Sequence, residues 1–287
     1  MQAQAKVQFL DHRGLTAVPE ILRGASRLRH LDVRANRLTG LPAWLAELPA
    51  LESLSIGENP LGGVPPEVTA LTGLRHLYVH GLALESVPDA LGDLVELRTL
   101  DLGHNRLQTL PHSIGRLAAL ETLYLADNLF DELPVAVRRL RSLRYLGATD
   151  NRLTALPAWI GELEQLIELR LYRNSLVGLP EAIGQLRRLR ELHLHDNRIS
   201  VLPEQIGALA DLRQLDLRNN ALVELPPAIA QLKRLRVLDL RGNLLDELPD
   251  ALGDLPALEK LDLRWNRFAD PARACECLRE RGCVVLG

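Results

Sequence analysis

The sequence predicts an α/β solenoid, a fold that grows by stacking copies of one short unit, and three observations support this. A 23-residue spacing recurs without insertion or deletion from Leu28 onward. Each copy begins with apolar and polar residues in alternation, and its second half spaces apolar residues three to four apart. Internal periods of roughly 20–50 residues are typical of solenoids and related repeat folds.

The shared pattern of the copies is LxxLxLxxNxLxxLPxxIxxLxx. Ten copies are complete over residues 28–257, and an eleventh ends after "LEKLDLRWNRF". A unit of this size cannot bury its own leucines, so each copy must share them with the next one.

The two halves of a copy predict different local structure. In "RELHLHDN", Leu192 and Leu194 alternate with polar residues, which predicts a short strand with one buried face. In "LPEQIGALADL", the three-to-four spacing after Leu202 predicts a helical or 3-10 turn. Pro203 heads this turn, where its missing N–H does no harm.

An asparagine follows the strand of nearly every copy. It occurs at residues 36, 59, 105, 128, 151, 174, 197, 220, 243 and 266. We expect these side chains to form a ladder of hydrogen bonds to the backbone of the bend. Leu82 takes the asparagine position in the third copy, after Gly81, and a local irregularity is expected there.

The repeat resembles the leucine-rich repeat family, in the 23-residue LPxxI form of Ras-suppressor-like, plant intracellular and bacterial leucine-rich proteins. The resemblance covers nearly the whole chain, because the pattern recurs ten times in register. It implies a horseshoe with a concave parallel β-sheet and short helical or 3-10 turns on the convex side. It also implies protein recognition as the usual function, without chemistry of its own.

A single domain over residues 1–287 is predicted. Residues 1–27 form a cap or half repeat in which Arg13 replaces the asparagine, 28–257 hold the ten repeats, and 258–287 hold a partial repeat and a second cap. At that end we expect a short helix after Pro271 and an apolar "CVVL" segment covering the last strand edge. Because both ends are capped, we expect a monomer rather than a self-assembling structure.

Composition limits which classes of partner and which cellular compartment we expect. The net charge of -3 gives no reason to expect nucleic acid or an anionic membrane. The first residues lack the apolar core of a signal peptide, and three cysteines within 275–283 do not make a disulfide framework. A cytoplasmic protein is therefore expected, with secretion as an effector left open.

Cys275, Cys277 and Cys283 are best explained by packing of the C-terminal cap. Their C-x-C-x₅-C spacing lacks a fourth metal ligand. Redox activity stays open.

Function is expected at the three outward positions that each strand leaves free, exemplified by His30, Asp32 and Arg34. All four tyrosines and five of the eight histidines fall there. Tyr and Arg supply much of the binding energy at protein interfaces, whereas the simpler explanation is that tyrosine favours strands. The predicted partner-binding residues are Tyr78, His80, Tyr124, Tyr145, Arg170, Tyr172, Arg173, His193, His195, Arg218, Arg241, Arg264 and Trp265.

The central copies depart from the shared pattern. Tyr124, Tyr145 and Tyr172 come from three consecutive copies, with Gly147 among them, and Ala148 replaces a buried Leu or Val. This predicts a shallow aromatic-walled hollow that receives a partner side chain; the alternative is drift in one tolerant repeat.

Two charged columns mark the C-terminal third. They are Asp216, Asp239 and Asp262, and beside them Arg218, Arg241 and Arg264. They form either a self-neutralising lattice or a patch that grips an oppositely patterned partner.

His193 and His195 raise the question of a metal site. The acids expected nearest to them are Asp196 and Asp216, and arginines are expected in the same space. We therefore expect both histidines to be solvent-facing contact residues that bind no metal.

No phosphate loop, HExxH or GxSxG motif occurs, so neither enzyme activity nor a cofactor is expected. The predicted function is a protein-protein interaction scaffold that binds a partner protein through its concave face. The alternative is the substrate-recognition domain of a bacterial effector whose catalytic domain is absent from this chain, as the family resemblance allows.

Overall fold

The computed structural model describes residues 6–269 and 276–287. The chain divides into two compact units. The first comprises Met1–Phe130 and Pro134–Leu143, and the second comprises Asp131–Leu133 and Arg144–Gly287. The single domain predicted from the sequence stays a prediction.

Both units are built from three-residue parallel strands that pair in chain order. The first unit contains β1 (Val7–Phe9), β2 (His30–Asp32), β3 (Ser53–Ser55), β4 (His76–Tyr78), β5 (Thr99–Asp101) and β6 (Thr122–Tyr124). The second contains β7 (Tyr145–Gly147), β8 (Glu168–Arg170), β9 (Glu191–His193), β10 (Gln214–Asp216), β11 (Val237–Asp239), β12 (Lys260–Asp262) and β13 (Val284–Leu286). Residues 23 apart face each other across most pairs, as between His30 and Ser53, which confirms the register read from the sequence.

A short helical turn follows each strand except the last, β13. In the first unit the 3-10 helices are Glu20–Leu22, Ala43–Glu47, Asp89–Asp93, His112–Arg116 and Val135–Arg139, with one α-helical turn, α1 (Pro66–Thr69). In the second they are Ala158–Glu162, Glu181–Gln185, Glu204–Ala208, Pro227–Gln231 and Asp250–Asp254, with α2 (Glu276–Glu280) near the C-terminus. Pro203 directly precedes its turn and accepts a hydrogen bond from the Ile206 N–H at 3.0 Å, so the proline starts the turn as predicted.

The leucines of the pattern fill the interior of each unit. Leu54 and Leu77 in the first unit and Leu192 and Leu215 in the second have no exposed surface. Burial of this aliphatic surface is the main favourable contribution to the stability of such a stack. In the described part of the chain, no helix reaches the length and hydropathy needed to cross a membrane.

The predicted asparagine ladder is confirmed. The Asn59 Oδ1 accepts a hydrogen bond from the Leu38 N–H at 3.0 Å, and its Nδ2 donates to the carbonyls of Val33 and Ile56 at 3.0 and 2.9 Å. One side chain thus satisfies polar backbone groups of two adjacent repeats.

The irregularity at Leu82 is also present. Ala83 has a positive φ of 55°, and the N–H groups of Leu82 and Leu84 both donate to the Asn105 Oδ1, at 3.1 and 3.0 Å. The asparagine of the next repeat therefore serves the bend whose own asparagine is missing.

The N-terminal cap contains a strand that the sequence pattern did not reveal. Gln8 of β1 stands opposite Leu31, at the place where most other strands carry a leucine. This hid the strand from an apolar pattern.

At the other end, pairing of β13 with β12 confirms that "CVVL" covers the preceding strand. The start of the predicted helix, Pro271 and Cys275 lie outside the described residues. Cys283 is buried, as expected of a packing residue, whereas Cys277 is exposed.

Candidate functional site

Strand geometry creates the candidate surface. In most strands the middle residue is buried and its two neighbours are partly exposed, as in β9, where Leu192 lies inside and Glu191 and His193 lie outside. We call the side that carries these outer residues, together with the third outward position after each strand, the strand face.

A further position next to the strand face has left-handed backbone. From Ala35 to Trp265, the residue before each asparagine position has a positive φ, although most of these residues are not glycine. This conformation turns the side chain outward: Trp265, at φ 60°, is 73% exposed. Arg173, at φ 52°, is also exposed.

In the first unit, three predicted residues gather around Asp101. Tyr78 and Tyr124 flank Asp101 on the neighbouring strands, and the Nδ1 of His80 lies 3.4 Å from the Asp101 carboxylate. Burial, followed by the nearby Tyr124 and Asp101, raises the pKa of Tyr78. Contact with Asp101 raises the pKa of His80, whose Nε2 also lies 3.5 Å from Glu58.

The first unit also has an apolar cavity of about 530 Å³, called here the first-unit cavity. Its lining residues are Val7, Phe9, His30, Leu31, Asp32, Arg34, Ser53, Ser55 and Tyr78. Of these, only Tyr78 was predicted to bind a partner. Phe9, 67% exposed, and the small side chains of Ser53 and Ser55 create the space. The two successive outward serines were the signal that could have revealed it.

In the second unit, Tyr172 and His195 form a stacked pair. Their rings are 4.2 Å apart and inclined by 11°. The Arg218 guanidinium lies 3.3 Å from the His195 Nε2, and the His195 Nδ1 lies 3.0 Å from the Asp216 carboxylate.

This packing corrects the expectation for the two histidines. The side chains of His193 and His195 are only 13% and 11% exposed, so neither is freely solvent-facing. For His195 the cause is the Tyr172 ring on one side and Asp216 on the other. Both acids predicted beside His195 are there: Asp216 lies 3.0 Å from its Nδ1, and Asp196 lies 4.0 Å from its Nε2.

The aspartate and arginine columns pair along and between strands. Arg241 donates through Nε and Nη2 to both oxygens of Asp239, at 2.9 and 2.7 Å, and Arg264 does the same to Asp262. Arg241 also approaches Asp262 at 3.3 Å. The self-neutralising lattice is therefore present, with Arg218 as its loosest member at 3.5 Å from Asp216.

Two buried carboxylates anchor this lattice. Asp216 and Asp262 are 7% and 1% exposed. Burial alone would raise the pKa of Asp216, but contact with His195 and the charge of Arg218 lower it overall. Burial likewise raises the pKa of Asp262, but the hydrogen bonds from Arg264 lower it by more. The net effect is a lowered pKa.

A cavity of about 570 Å³ opens on this part of the strand face, called here the second-unit cavity. Its lining residues are Arg170, Tyr172, Arg173, His193, His195, Gln214, Leu215, Asp216, Arg218, Val237, Asp239, Arg241 and Lys260. Seven predicted partner-binding residues are brought together here. Three others of the second unit are not among them: Tyr145 lies under the Arg170 guanidinium at 5.6 Å, and Trp265 lies under that of Arg264 at 5.6 Å.

At Gly147, the space without a side chain is filled within the second unit. A β-carbon there would meet the Tyr145 hydroxyl at 2.9 Å, so the Tyr145 ring lies over the glycine. Ala148 is fully buried. Tyr124 belongs to the first unit, and the hollow inferred from the three tyrosines stays a prediction.

One group of described residues has the donor set of a metal site. Ligand atoms of Glu168, Glu191 and His193 lie within 4.8 Å of one another, and the two glutamates face each other on β8 and β9. They could hold a divalent cation, but the Arg170 guanidinium already pairs with Glu168. Of these three residues, only His193 was weighed as a metal ligand from the sequence; neither glutamate was. The expectation of no metal stays a prediction.

Comparison with known families agrees with this architecture. The model described as "Leucine-rich repeat region" matches residues 86–195 and 179–279, more than half of the chain, and the model "Leucine rich repeat" matches residues 49–107. The chain belongs to the leucine-rich repeat family. Among curated proteins, no sequence matches it.

Solved structures show the same fold. A leucine-rich repeat protein of Leptospira interrogans is 31% identical, with a TM-score of 0.66 over 95% of this chain and 81% of that one. The leucine-rich repeat part of FLRT2, in an octameric complex with Latrophilin 3 and Unc5D, is 22% identical, with a TM-score of 0.81 over 99% and 90%. The plant peptide hormone receptor RGFR1, in complex with RGF2, is 25% identical, with a TM-score of 0.57 over 87% and 50%.

Proposed function

We propose that this protein is an interaction scaffold that binds a partner protein through its strand face and has no catalytic activity of its own. The observation that carries the proposal is the second-unit cavity, where Tyr172, Arg170, Arg173, Arg218 and Arg241 meet. Tyrosine and arginine are the residue types that most often dominate interface energetics, and they do so where they line a pocket.

The tyrosines of the first unit support the same role. Tyr78 lines the first-unit cavity and Tyr124 lies on the same face, two strands away. Fold maintenance does not need aromatic residues there, because aliphatic side chains fill the interior. The structurally similar receptor RGFR1 was solved in complex with RGF2, which fits a leucine-rich repeat surface engaged in recognition.

We place this binding in the cytoplasm and on a monomer. The two described cysteines, Cys277 and Cys283, are both free, which suits a reducing compartment.

A second candidate is the substrate-recognition part of a bacterial effector, and the similarity to a leucine-rich repeat protein of Leptospira interrogans is compatible with it. Such a domain would use the same strand face. A reading frame that continues into a catalytic domain after Gly287 would decide for this candidate.

Affinity capture of a partner, followed by calorimetry with the purified pair, tests the proposal. Tyr172→Ala and Tyr78→Ala should each weaken binding by more than about 1 kcal/mol, roughly fivefold or more, because buried aromatic anchors cost this much when truncated. Val201→Ala, at an exposed residue outside the strands, serves as the control and should leave the affinity unchanged. Unchanged affinity in both tyrosine variants would contradict binding through the strand face.

A further inference from the structure

We propose that the first-unit cavity receives a tryptophan side chain of the partner protein, an uncharged aromatic group that also carries a hydrogen-bond donor. This inference rests on the proposed function and names the anchor that the partner contributes. It follows from the shape of the cavity, from the balance of its charges, and from a buried hydroxyl that faces the cavity without a partner.

The cavity lies over a trough that is one strand wide. At its floor, the three outward positions of β3 carry Ser53, Ser55 and Gly57, the smallest set on any strand of the first unit. Larger residues stand on both neighbouring strands, where Asp32 of β2 and Tyr78 of β4 lie opposite Ser55. Because adjacent strands are about 4.8 Å apart, these two backbones are separated by roughly 10 Å, which admits one flat side chain between them.

One end of the trough is filled by the protein itself. A β-carbon at Gly57 would meet the His80 imidazole at 2.8 Å, so this ring lies over the glycine. The carboxylates of Asp101 and Glu58 lie 3.4 and 3.5 Å from the two ring nitrogens and hold the imidazole there. A trough closed at one end suits an inserted side chain better than an extended segment lying along it.

The charges that line the cavity cancel. Among its lining residues only Asp32 and Arg34 are permanently charged, and the Arg34 Nε lies 3.5 Å from the Asp32 carboxylate. Beside the floor, Glu52 is paired with Arg29 at 3.1 Å. A charged occupant would lose its hydration without gaining an unpaired counter-charge, which is costly. The cavity therefore favours an uncharged occupant.

The remaining walls offer apolar and aromatic surface. Phe9 is 67% exposed and Val7 is 40% exposed, and both line the cavity together with Tyr78. Binding pockets are usually lined in this way, by apolar and aromatic groups with a few polar atoms among them. Aromatic rings also pack favourably on one another in offset or edge-to-face contacts. An aromatic occupant therefore matches these walls.

Ser55 indicates that the occupant also carries a polar atom. This residue is 7% exposed and lines the cavity, and its hydroxyl has no hydrogen-bond partner within the described part of the chain. A wholly apolar occupant would seal the hydroxyl from solvent without a partner, which is costly. The indole N–H of tryptophan can donate to the hydroxyl oxygen. Among side chains that combine a ring with a donor, tryptophan is also the largest and covers the most of the walls.

The test titrates N-acetyl-L-tryptophanamide into the ¹⁵N-labelled full chain and follows amide chemical shifts by NMR. The corresponding amides of phenylalanine, glutamate and lysine are the comparison probes, at about pH 8, where histidine is ordinarily neutral. We expect a dissociation constant on the order of a few millimolar, as for other small fragments, with the largest shifts on β1, β3 and β4. The phenylalanine amide should bind at least about threefold more weakly, and the two charged amides at least about tenfold more weakly.

Three variants locate the binding. Ser53→Leu fills the trough and Phe9→Ala removes a wall, so each should weaken binding of the tryptophan amide at least about fivefold. Because Phe9 is exposed, its truncation leaves the core intact. Ser55→Ala removes the hydroxyl and should abolish the preference for the tryptophan amide over the phenylalanine amide.

The matched control is Thr122→Leu. Thr122 takes the same first outward position on β6 that Ser53 takes on β3 and is also partly exposed, but it does not line the cavity. The affinity for the tryptophan amide should therefore change less than about twofold. Amide spectra that are unchanged away from the cavity show that each variant is folded.

Four outcomes would overturn the inference. They are absence of binding by the tryptophan amide, equal or tighter binding of a charged amide, equal losses in Ser53→Leu and Thr122→Leu, or a preference for tryptophan that survives Ser55→Ala. All four leave the scaffold proposal standing, because Tyr172→Ala tests that proposal in the second unit and with the partner itself.

Discussion

Removal of one asparagine side chain should destabilise the second unit far more than its size suggests. Asn243 is 4% exposed, and its Oδ1 accepts the Leu222 N–H at 3.0 Å. Its Nδ2 donates to the carbonyls of Leu217 and Leu240 at 3.0 and 2.9 Å, and to that of Arg241 at 3.4 Å. Asn243→Ala removes all of these bonds while leaving the leucine core unchanged.

The magnitude follows from the group left without a partner. The Arg241 carbonyl keeps the hydrogen bond from the Asn219 N–H at 2.7 Å. The carbonyls of Leu217 and Leu240 keep those from Asn220 and Asn266 at 2.9 and 2.8 Å, so the group left without a partner is the Leu222 N–H. A buried polar group without a partner costs about 1–3 kcal/mol. For this one orphaned N–H, we expect the free energy of unfolding to fall by about 1–3 kcal/mol.

Urea unfolding followed by circular dichroism measures this change. The control is Asn219→Gly. Asn219 is exposed at φ 53° and stands before its ladder asparagine as Gly242 stands before Asn243, so glycine fits its backbone. This variant should change the free energy of unfolding by less than about 1 kcal/mol. A loss below about 1 kcal/mol in Asn243→Ala would refute the view that the ladder satisfies otherwise orphaned backbone groups.

Two further changes test other parts of the first unit. Gly92→Ala places a β-carbon 2.2 Å from the Ser113 carbonyl oxygen, so it should lower the melting temperature clearly, whereas Gly40→Ala, with open space around it, should be near neutral; similar melting curves would contradict the tight packing of adjacent turns. The folded-state pKa of His80 is raised above 6.5, so the stability it contributes is complete below pH 6.5 and is lost as pH rises through the folded pKa. His80→Gln should therefore reduce the fall in unfolding free energy above pH 6.5, and an unchanged pH profile, or an NMR-titrated pKa at or below 6.5, would show this sign to be wrong.

The fold could be predicted because nearly every copy places the same residue types, with the same structural roles, at the same positions. An alternation such as that of Leu192 and Leu194 defines a buried strand face, and Pro203 and the residues after it define the turn. The missed strand β1 shows the limit: where Gln8 replaces leucine, the apolar pattern disappears although the backbone still pairs with β2. Backbone hydrogen bonds do not depend on which side chain a residue carries. An apolar pattern therefore cannot reveal every strand that forms through them.

The site could be predicted only as a set of columns. Spacing placed Tyr172 and His195 on the same face, but the stack between them depends on side-chain rotamers that spacing does not determine. For the same reason His195 was expected to be solvent-facing, whereas its neighbours cover it. The two glutamates beside His193 were missed because each is ordinary in its own repeat and only the pairing of β8 with β9 brings them together.

The charged columns show how one residue can change what a regular lattice offers. In parallel strands about 4.8 Å apart, an arginine at the third outward position can reach both its own aspartate and that of the next repeat. Arg241 contacts both Asp239 and Asp262 and is therefore fully engaged. Before Arg218 the column changes to His195, which draws on the same oxygen of Asp216 and leaves Arg218 with a weaker hold. The lattice thus changes character at the junction between the aromatic and the charged repeats: there Asp216 contacts a histidine and an arginine, whereas Asp262 contacts the two arginines Arg241 and Arg264.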